Sequence, residues 1–273
     1  MIVFSLLLCA LAEPALNIIR KSMYSHSLQK EMHYTLWIPV LESPPTEYPL
    51  LVMLHGLGDT DVNWSKTSVP RLYQQVMEEG LAPHIVLVPD GERGYWVDHL
   101  NSTQQYASWA LEALAQVESE YPISQDLGYR TLMGLSMGAW GTLSIGLSHP
   151  EEFGQLIAMS PTDVFLATKE DKNSPVYTNP FGNPLHTPFI AAKEPREWLL
   201  RGAGREQRIA LIYGSAEQEK FSKGAERFIA TAKAQSIDVS VLVVEGGVHS
   251  WSTTWQPDSF LWWMRWLMDV QNP

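Results

Sequence analysis

Three runs of uninterrupted apolar residues restrict this chain most: Leu50-Leu51-Val52-Met53-Leu54, Ile85-Val86-Leu87-Val88 and Ile209-Ala210-Leu211-Ile212. A strand with one wet face alternates apolar and polar residues. A strand without that alternation is buried on both faces, as strands of parallel sheets are. Strands are predicted over 17–25, 32–39, 50–55, 85–89, 130–134, 155–159, 208–213 and 239–244. Helical patterns lie between them, over 69–79, 102–121, 136–148, 223–235 and 259–269. In the second of these, Tyr106, Trp109, Ala110, Ala113, Leu114 and Val117 share one face at steps of three and four. Alternation of buried strand and amphipathic helix predicts the α/β class: a mostly parallel eight-stranded sheet with helices on both faces. No helix separates the first two strands, so an antiparallel hairpin is expected to open the sheet.

The 273 residues show no internal repeat or low-complexity linker, which favours one domain. One segment breaks the rhythm. Residues 161–207 carry Pro161, Pro175, Pro180, Pro184, Pro188 and Pro195 with little periodicity. Such an excursion is either a lid or binding loop, or an elaboration that only covers the sheet. The formal net charge of −11 and the lack of a basic run longer than Arg20-Lys21 argue against a nucleic-acid partner. Residues 1–12 are apolar, too short to span a bilayer, and end in Ala10-Leu11-Ala12, the pattern of a signal-peptide cleavage site. They predict export, to the periplasm or beyond the cell, and a mature domain over 13–273; the alternative is a buried N-terminal strand or a hydrophobic tail, in a cytoplasmic protein. Cleavage there would remove Cys9, the sole cysteine, and with it any disulfide, thiol catalysis or cysteine metal site.

The chemistry centres on Gly134-Leu135-Ser136-Met137-Gly138. Chance supplies Gly-x-Ser-x-Gly in roughly one chain of this length in ten, so the triplet alone is weak. Here it follows an apolar strand and opens a helical pattern, the context of a nucleophile elbow. The glycines permit the tight approach of neighbouring backbone, and the helix N-terminus favours developing negative charge. Ser136 is the candidate nucleophile.

A serine hydroxyl needs a base to remove its proton. In folds with this elbow the order along the chain is serine, acid, histidine. Of eight histidines, only His249 follows the last strand, through Glu245-Gly246-Gly247-Val248. Glu217, just after the strand 208–213 and a glycine turn, is the leading acid, with Glu219 and Asp163 as the alternatives. The loop Leu54-His55-Gly56-Leu57-Gly58-Asp59 can aim the Leu57 N–H at the nucleophile. With the Met137 N–H it would form an oxyanion hole, where one lost donor costs about 100- to 1000-fold in rate. His55 is expected to hold this loop rather than react.

At this point the residues resemble a known family: the esterases related to esterase D and S-formylglutathione hydrolase, which include feruloyl and acetyl-xylan esterases and mycolyl transferases. The matching pieces are His55-Gly56-Leu57-Gly58 with Trp64, Pro89-Asp90-Gly91-Glu92-Arg93-Gly94-Tyr95-Trp96, Gly134-Leu135-Ser136-Met137-Gly138, and Gly247-Val248-His249-Ser250-Trp251 with Trp255. The resemblance spans about residues 30 to 270. The resemblance implies the α/β-hydrolase fold and ester hydrolysis through an acyl-enzyme, without cofactor or metal. It carries nucleophile, acid and base to Ser136, Glu217 and His249, although many relatives have Asp at the acid. Export would suit small acyl esters or polymer-linked esters as substrates, rather than a cytosolic glutathione thioester.

Trp255, Trp262, Trp263 and Trp266 are spaced as for a helix packed on the sheet, whereas Trp251, two residues from His249, is a candidate substrate-binding residue. Asp59, Asp61, Asp98 and His99 match no metal-ligand spacing and read as solvated loop residues. An acyltransferase shares the same acyl-enzyme and is the near alternative. A non-catalytic carbohydrate-binding protein on this fold is the distant one, since fold does not fix function.

Overall fold

The computed structural model describes residues 15–271. The expected leader over 1–12, including Cys9, lies outside these residues. Eight strands form one sheet in the order β1-β2-β4-β3-β5-β6-β7-β8. They are β1 (Ala15–Ser25), β2 (Lys30–Val40), β3 (Leu50–Leu54), β4 (Ile85–Pro89), β5 (Arg130–Leu135), β6 (Gln155–Met159), β7 (Arg208–Gly214) and β8 (Val239–Val244). β1 and β2 are the predicted antiparallel hairpin, and β2 joins β4 antiparallel. From β4 to β8 every pairing is parallel.

The uninterrupted apolar runs divide between two cores by simple alternation. Leu50, Val52 and Leu54 of β3 face one core, and Leu51 and Met53 face the other. The first core is closed by α2 (Tyr106–Glu120), α3 (Met137–Ser148) and α8 (Glu219–Ala234), through side chains such as Trp109, Leu143 and Phe228. The second is closed by α1 (Val69–Glu78) and α9 (Pro257–Gln271), through Leu72, Val76, Trp263 and Leu267. Among the described residues, no helix is long and apolar enough to cross a membrane.

The excursion 161–207 is helical, which differs from the irregular path its prolines suggested. It contains α4 (Val164–Glu170), α5 (Pro175–Phe181), α6 (Thr187–Lys193) and α7 (Pro195–Leu200). Pro175, Pro188 and Pro195 lie in the first turns of α5, α6 and α7, where the missing N–H costs nothing. Helices of six or seven residues are too short to show a period, so the sequence hid them. They are also anchored. Phe181 and Leu199 are fully buried, and α7 packs on both α3 and α8.

Candidate active site

The candidate groups lie on loops, or on the helix starts that follow them, at the carboxyl ends of strands. β3 adjoins β4 on one side and β5 on the other, so the chain's winding direction reverses between β3 and β5. Open α/β sheets present their ligand crevice at such a reversal. Ser136 follows β5, and Leu57 follows β3.

Close packing shapes the elbow. A Cβ on Gly138 would stand 2.1 Å from the Leu54 carbonyl oxygen, and one on Gly134 would stand 2.3 Å from that of Gly138. Ser136 itself has φ 57° and ψ −113°, a strained conformation for a residue with a side chain. Its N–H donates to the Met159 carbonyl at 2.8 Å. The turn thus projects the Ser136 hydroxyl from the N-terminus of the twelve-residue α3.

The other two candidates arrive on interlocked loops. Ala216 N–H donates to the Gly247 carbonyl at 2.9 Å, and Ser215 N–H to that of Val244 at 3.0 Å. The loop after β7 and the loop after β8 are therefore tied together by their backbones. His249 Nε2 stands 2.8 Å from Ser136 Oγ, and His249 Nδ1 stands 3.3 Å from Glu217 Oε1. A carboxylate only accepts, so Nδ1 holds the imidazole proton and Nε2 is left to accept from the serine. The imidazole is confined by two aromatic rings. Phe221 stacks on it at 3.6 Å and 14°, and Trp255 meets it edge-on at 4.5 Å.

The three candidate carboxylates are far from equivalent. Glu217 has a fully buried side chain against His249. Glu219 is exposed and pairs with Lys223. Asp163 caps α4 by accepting from Leu166 N–H at 2.9 Å, and pairs with Arg227 at 2.6 Å. His55 holds its loop: Nε2 accepts from Gly91 N–H at 2.8 Å, and Nδ1 donates to the Gly56 carbonyl at 2.8 Å. Among the described residues, no acceptor takes the amide N–H of Leu57 or Met137.

A cavity of about 320 Å³ opens beside Ser136 and His249. Leu57 and Met137 border it, with Tyr95, Thr162, Val176, Tyr177, Gln218, Lys220 and Phe221. The sequence had suggested none of these last seven as lining residues. They are contributed by the loop after β4, the helical excursion and the first turn of α8, separations no local pattern reveals. Tyr95 could have been suspected from its place in the Gly94-Tyr95-Trp96 motif, but its left-handed φ of 58° is a tertiary outcome. Its ring packs edge-on to Trp140, Tyr177 and Phe181, and burial pushes its hydroxyl pKa well above the ordinary tyrosine value.

One expectation, that for Asp61, is corrected, and the structure places Trp251 and Trp255 as follows. Trp251 does not line this cavity; it packs against Trp64, Trp255 and Phe260, because residues 250–256 fold back over the second core. Trp255 lies in the second core, as its spacing suggested; it precedes α9, and its indole N–H donates to Ser160 Oγ at 3.0 Å. Asp61 is not solvated: it is buried, and accepts from Arg20 of β1 at 2.7 Å and Thr35 of β2 at 3.0 Å. Only the hairpin's packing on that loop could show it. Among the described residues, no group of three or more His, Cys, Asp or Glu side chains is arranged to hold a metal ion.

A model of the Putative esterase family matches residues 25–260. The chain belongs to this family. Membership makes it a serine ester hydrolase. The esterase is similar to an acetyl esterase of Caldicellulosiruptor saccharolyticus, 26% identical over 253 residues that cover 86% of this chain and 92% of that protein. Among solved structures it resembles an S-formylglutathione hydrolase from Staphylococcus aureus, with a TM-score of 0.78 and 15% identity over 93% of this chain and 99% of that one. A ferulic acid esterase gives a TM-score of 0.76 at 19% identity, covering 93% of this chain and 99% of that one. At these identities the structural likeness establishes the fold: an α/β-hydrolase of the esterase type.

Proposed function

We propose that this esterase hydrolyses short-chain carboxylic esters through an acyl-enzyme on Ser136, with His249 as general base and Glu217 as the acid that orients it. The observation that carries the reading is the unbroken line from Ser136 Oγ to His249 Nε2 and from His249 Nδ1 to Glu217 Oε1. Ser136 Oγ attacks the ester carbonyl carbon while its proton passes to His249 Nε2. The carbonyl oxygen becomes an oxyanion, which accepts from the N–H groups of Leu57 and Met137. The carbon–oxygen bond to the alcohol then breaks, and His249 returns the proton to the departing alkoxide. Water repeats the sequence on the acyl-enzyme, releasing the acid and free Ser136. Through both halves Glu217 faces the imidazolium that forms and stabilises its charge.

Two features support a short acyl group. The cavity is modest, and Tyr95, Val176, Tyr177 and Phe221 make much of its wall apolar. One relative, 26% identical, is an acetyl esterase. The test is hydrolysis of p-nitrophenyl acetate and butyrate by the purified protein beside Ser136→Ala. Turnover with a burst of p-nitrophenol is expected, with a loss of about 10⁵- to 10⁶-fold in the variant. A folded wild-type protein that neither turns over these esters nor reacts with a fluorophosphonate probe would overturn the reading.

A further inference from the structure

We propose that Ser160 is a positioning residue for the acid of this site, and that Trp255 fixes the direction of its hydroxyl. The inference rests on the reading of Ser136, His249 and Glu217 given above. Ser160 is the first residue after β6, fully buried, and its N–H donates to the Ile212 carbonyl at 2.7 Å. Its φ is +56°, a region where glycine is the inexpensive residue and a side chain costs about 1 kcal/mol or more. A serine that tolerates this conformation is explained by what its hydroxyl does.

That hydroxyl has one proton and two lone pairs. The Trp255 indole N–H can only donate, and it lies 3.0 Å from Ser160 Oγ. Ser160 therefore accepts on that side, and its own proton is directed to Glu217 Oε1 at 2.7 Å. The same oxygen faces His249 Nδ1 at 3.3 Å, the longer of the two contacts. Glu217 Oε2 is buried and without a hydrogen-bond partner among the described residues. Among the described residues, no hydrogen bond fixes the carboxylate plane from that side. Ser160 is thus the closest polar group fixing which oxygen meets the imidazole, while the ring itself is already held by Phe221 and Trp255.

The gain falls in the chemical step. A carboxylate aimed before the proton moves needs no reorganisation when the imidazolium forms. The substrate does not touch Ser160, so binding of the ester is unaffected and the loss falls on kcat.

Ser160→Gly tests this, because glycine adopts φ +56° without strain and removes the hydroxyl together with its one carbon. On p-nitrophenyl acetate kcat is expected to fall about 10- to 100-fold with KM within about twofold, the range for a hydrogen bond to a charged group. The fluorophosphonate labelling rate should fall by a similar factor, with Tm unchanged or raised. The downfield proton resonance of His249 Nδ1–H should shift or broaden. Trp255→Phe, which frees the Ser160 hydroxyl to turn, should lose less. Wild-type kcat and labelling in Ser160→Gly would overturn the role, as would a loss shared by KM and Tm, which a purely structural residue would show. Failure of the triad reading is distinguishable: it would appear in the wild-type protein, as absent turnover and absent labelling, and would remove this role with it.

Discussion

The two halves of the proposed triad are held by different forces. On the nucleophile side the constraint is backbone against backbone: Gly138 lies where any Cβ would strike the Leu54 carbonyl, and Gly134 where it would strike that of Gly138. On the acid–base side backbone contacts join the two loops, a Cβ on Gly214 standing 2.2 Å from the Gly247 carbonyl oxygen, but the functional groups themselves are held by a web of side chains, with Trp255, Ser160 and Phe221 arranged around Glu217 and His249. A backbone constraint is short-range and steric, and fails all at once. A side-chain web can lose one member and relax.

Among changes that leave Ser136 itself in place, removing the charge of the acid should show the largest effect. Glu217→Gln is expected to lower kcat on p-nitrophenyl acetate about 10³- to 10⁴-fold, since an amide in that place can stabilise the wrong imidazole tautomer. Asp163→Asn and Glu219→Gln should stay within about threefold of wild type in the same assay. A large loss in either would move the acid and undo the comparison at its centre.

Next comes the backbone side. Gly138→Ala requires β3 or α3 to shift, because the obstacle is a carbonyl oxygen and not the end of a flexible side chain. A displacement near 1 Å at the reacting atoms can cost about 100-fold, so labelling of Ser136 should fall at least that far and Tm should drop with it. Full labelling at wild-type Tm would show that the elbow is more pliable than its packing implies.

The nucleophile side does include one buried polar support, and it is sensitive to pH. Burial pushes the Glu194 carboxyl up to about 8, with nearby Asp163 adding to the rise. Glu194 accepts from the indole N–H of Trp140 on α3 at 3.3 Å, and Arg196 opposes the rise. A folded-state value above the unfolded one means that its stabilising contribution is complete below about 4.5. That contribution is lost as pH rises through about 8. Glu194→Gln should therefore flatten the decline: its Tm should gain on wild type between pH 5 and pH 8, by an amount worth a few kcal/mol. Parallel Tm curves would show that Glu194 does not carry a proton into the folded state.

The smallest effect is expected at Trp251. It is 39% exposed and stands outside the cavity, so Trp251→Ala should change kcat/KM for small esters by less than about threefold. A tenfold rise in KM would bring the aromatic cluster of Trp64, Trp251 and Phe260 into the binding site.

The same division explains what could be read in advance. Uninterrupted apolar strands and intervening amphipathic helices determined the parallel sheet, because burial on both faces leaves a mark on every residue of a strand. Gly134, Ser136 and Gly138 determined the elbow, because its steric demand falls within five residues. The order serine, acid, histidine brought forward Glu217 and His249. Tertiary structure alone decided the rest. It separated Glu217 from Glu219 and Asp163, which differ in burial and partner but not in kind. It made four short helices of a proline-rich stretch, packed Trp251 against Trp64 and Phe260, paired buried Asp61 with Arg20, and linked Trp255 through Ser160 to Glu217. Ser160 and Glu217 are 57 residues apart, and Trp255 and Ser160 are 95 apart. Directional hydrogen bonds across such distances leave no periodic trace in a sequence, because they depend on where the sheet brings its loops together.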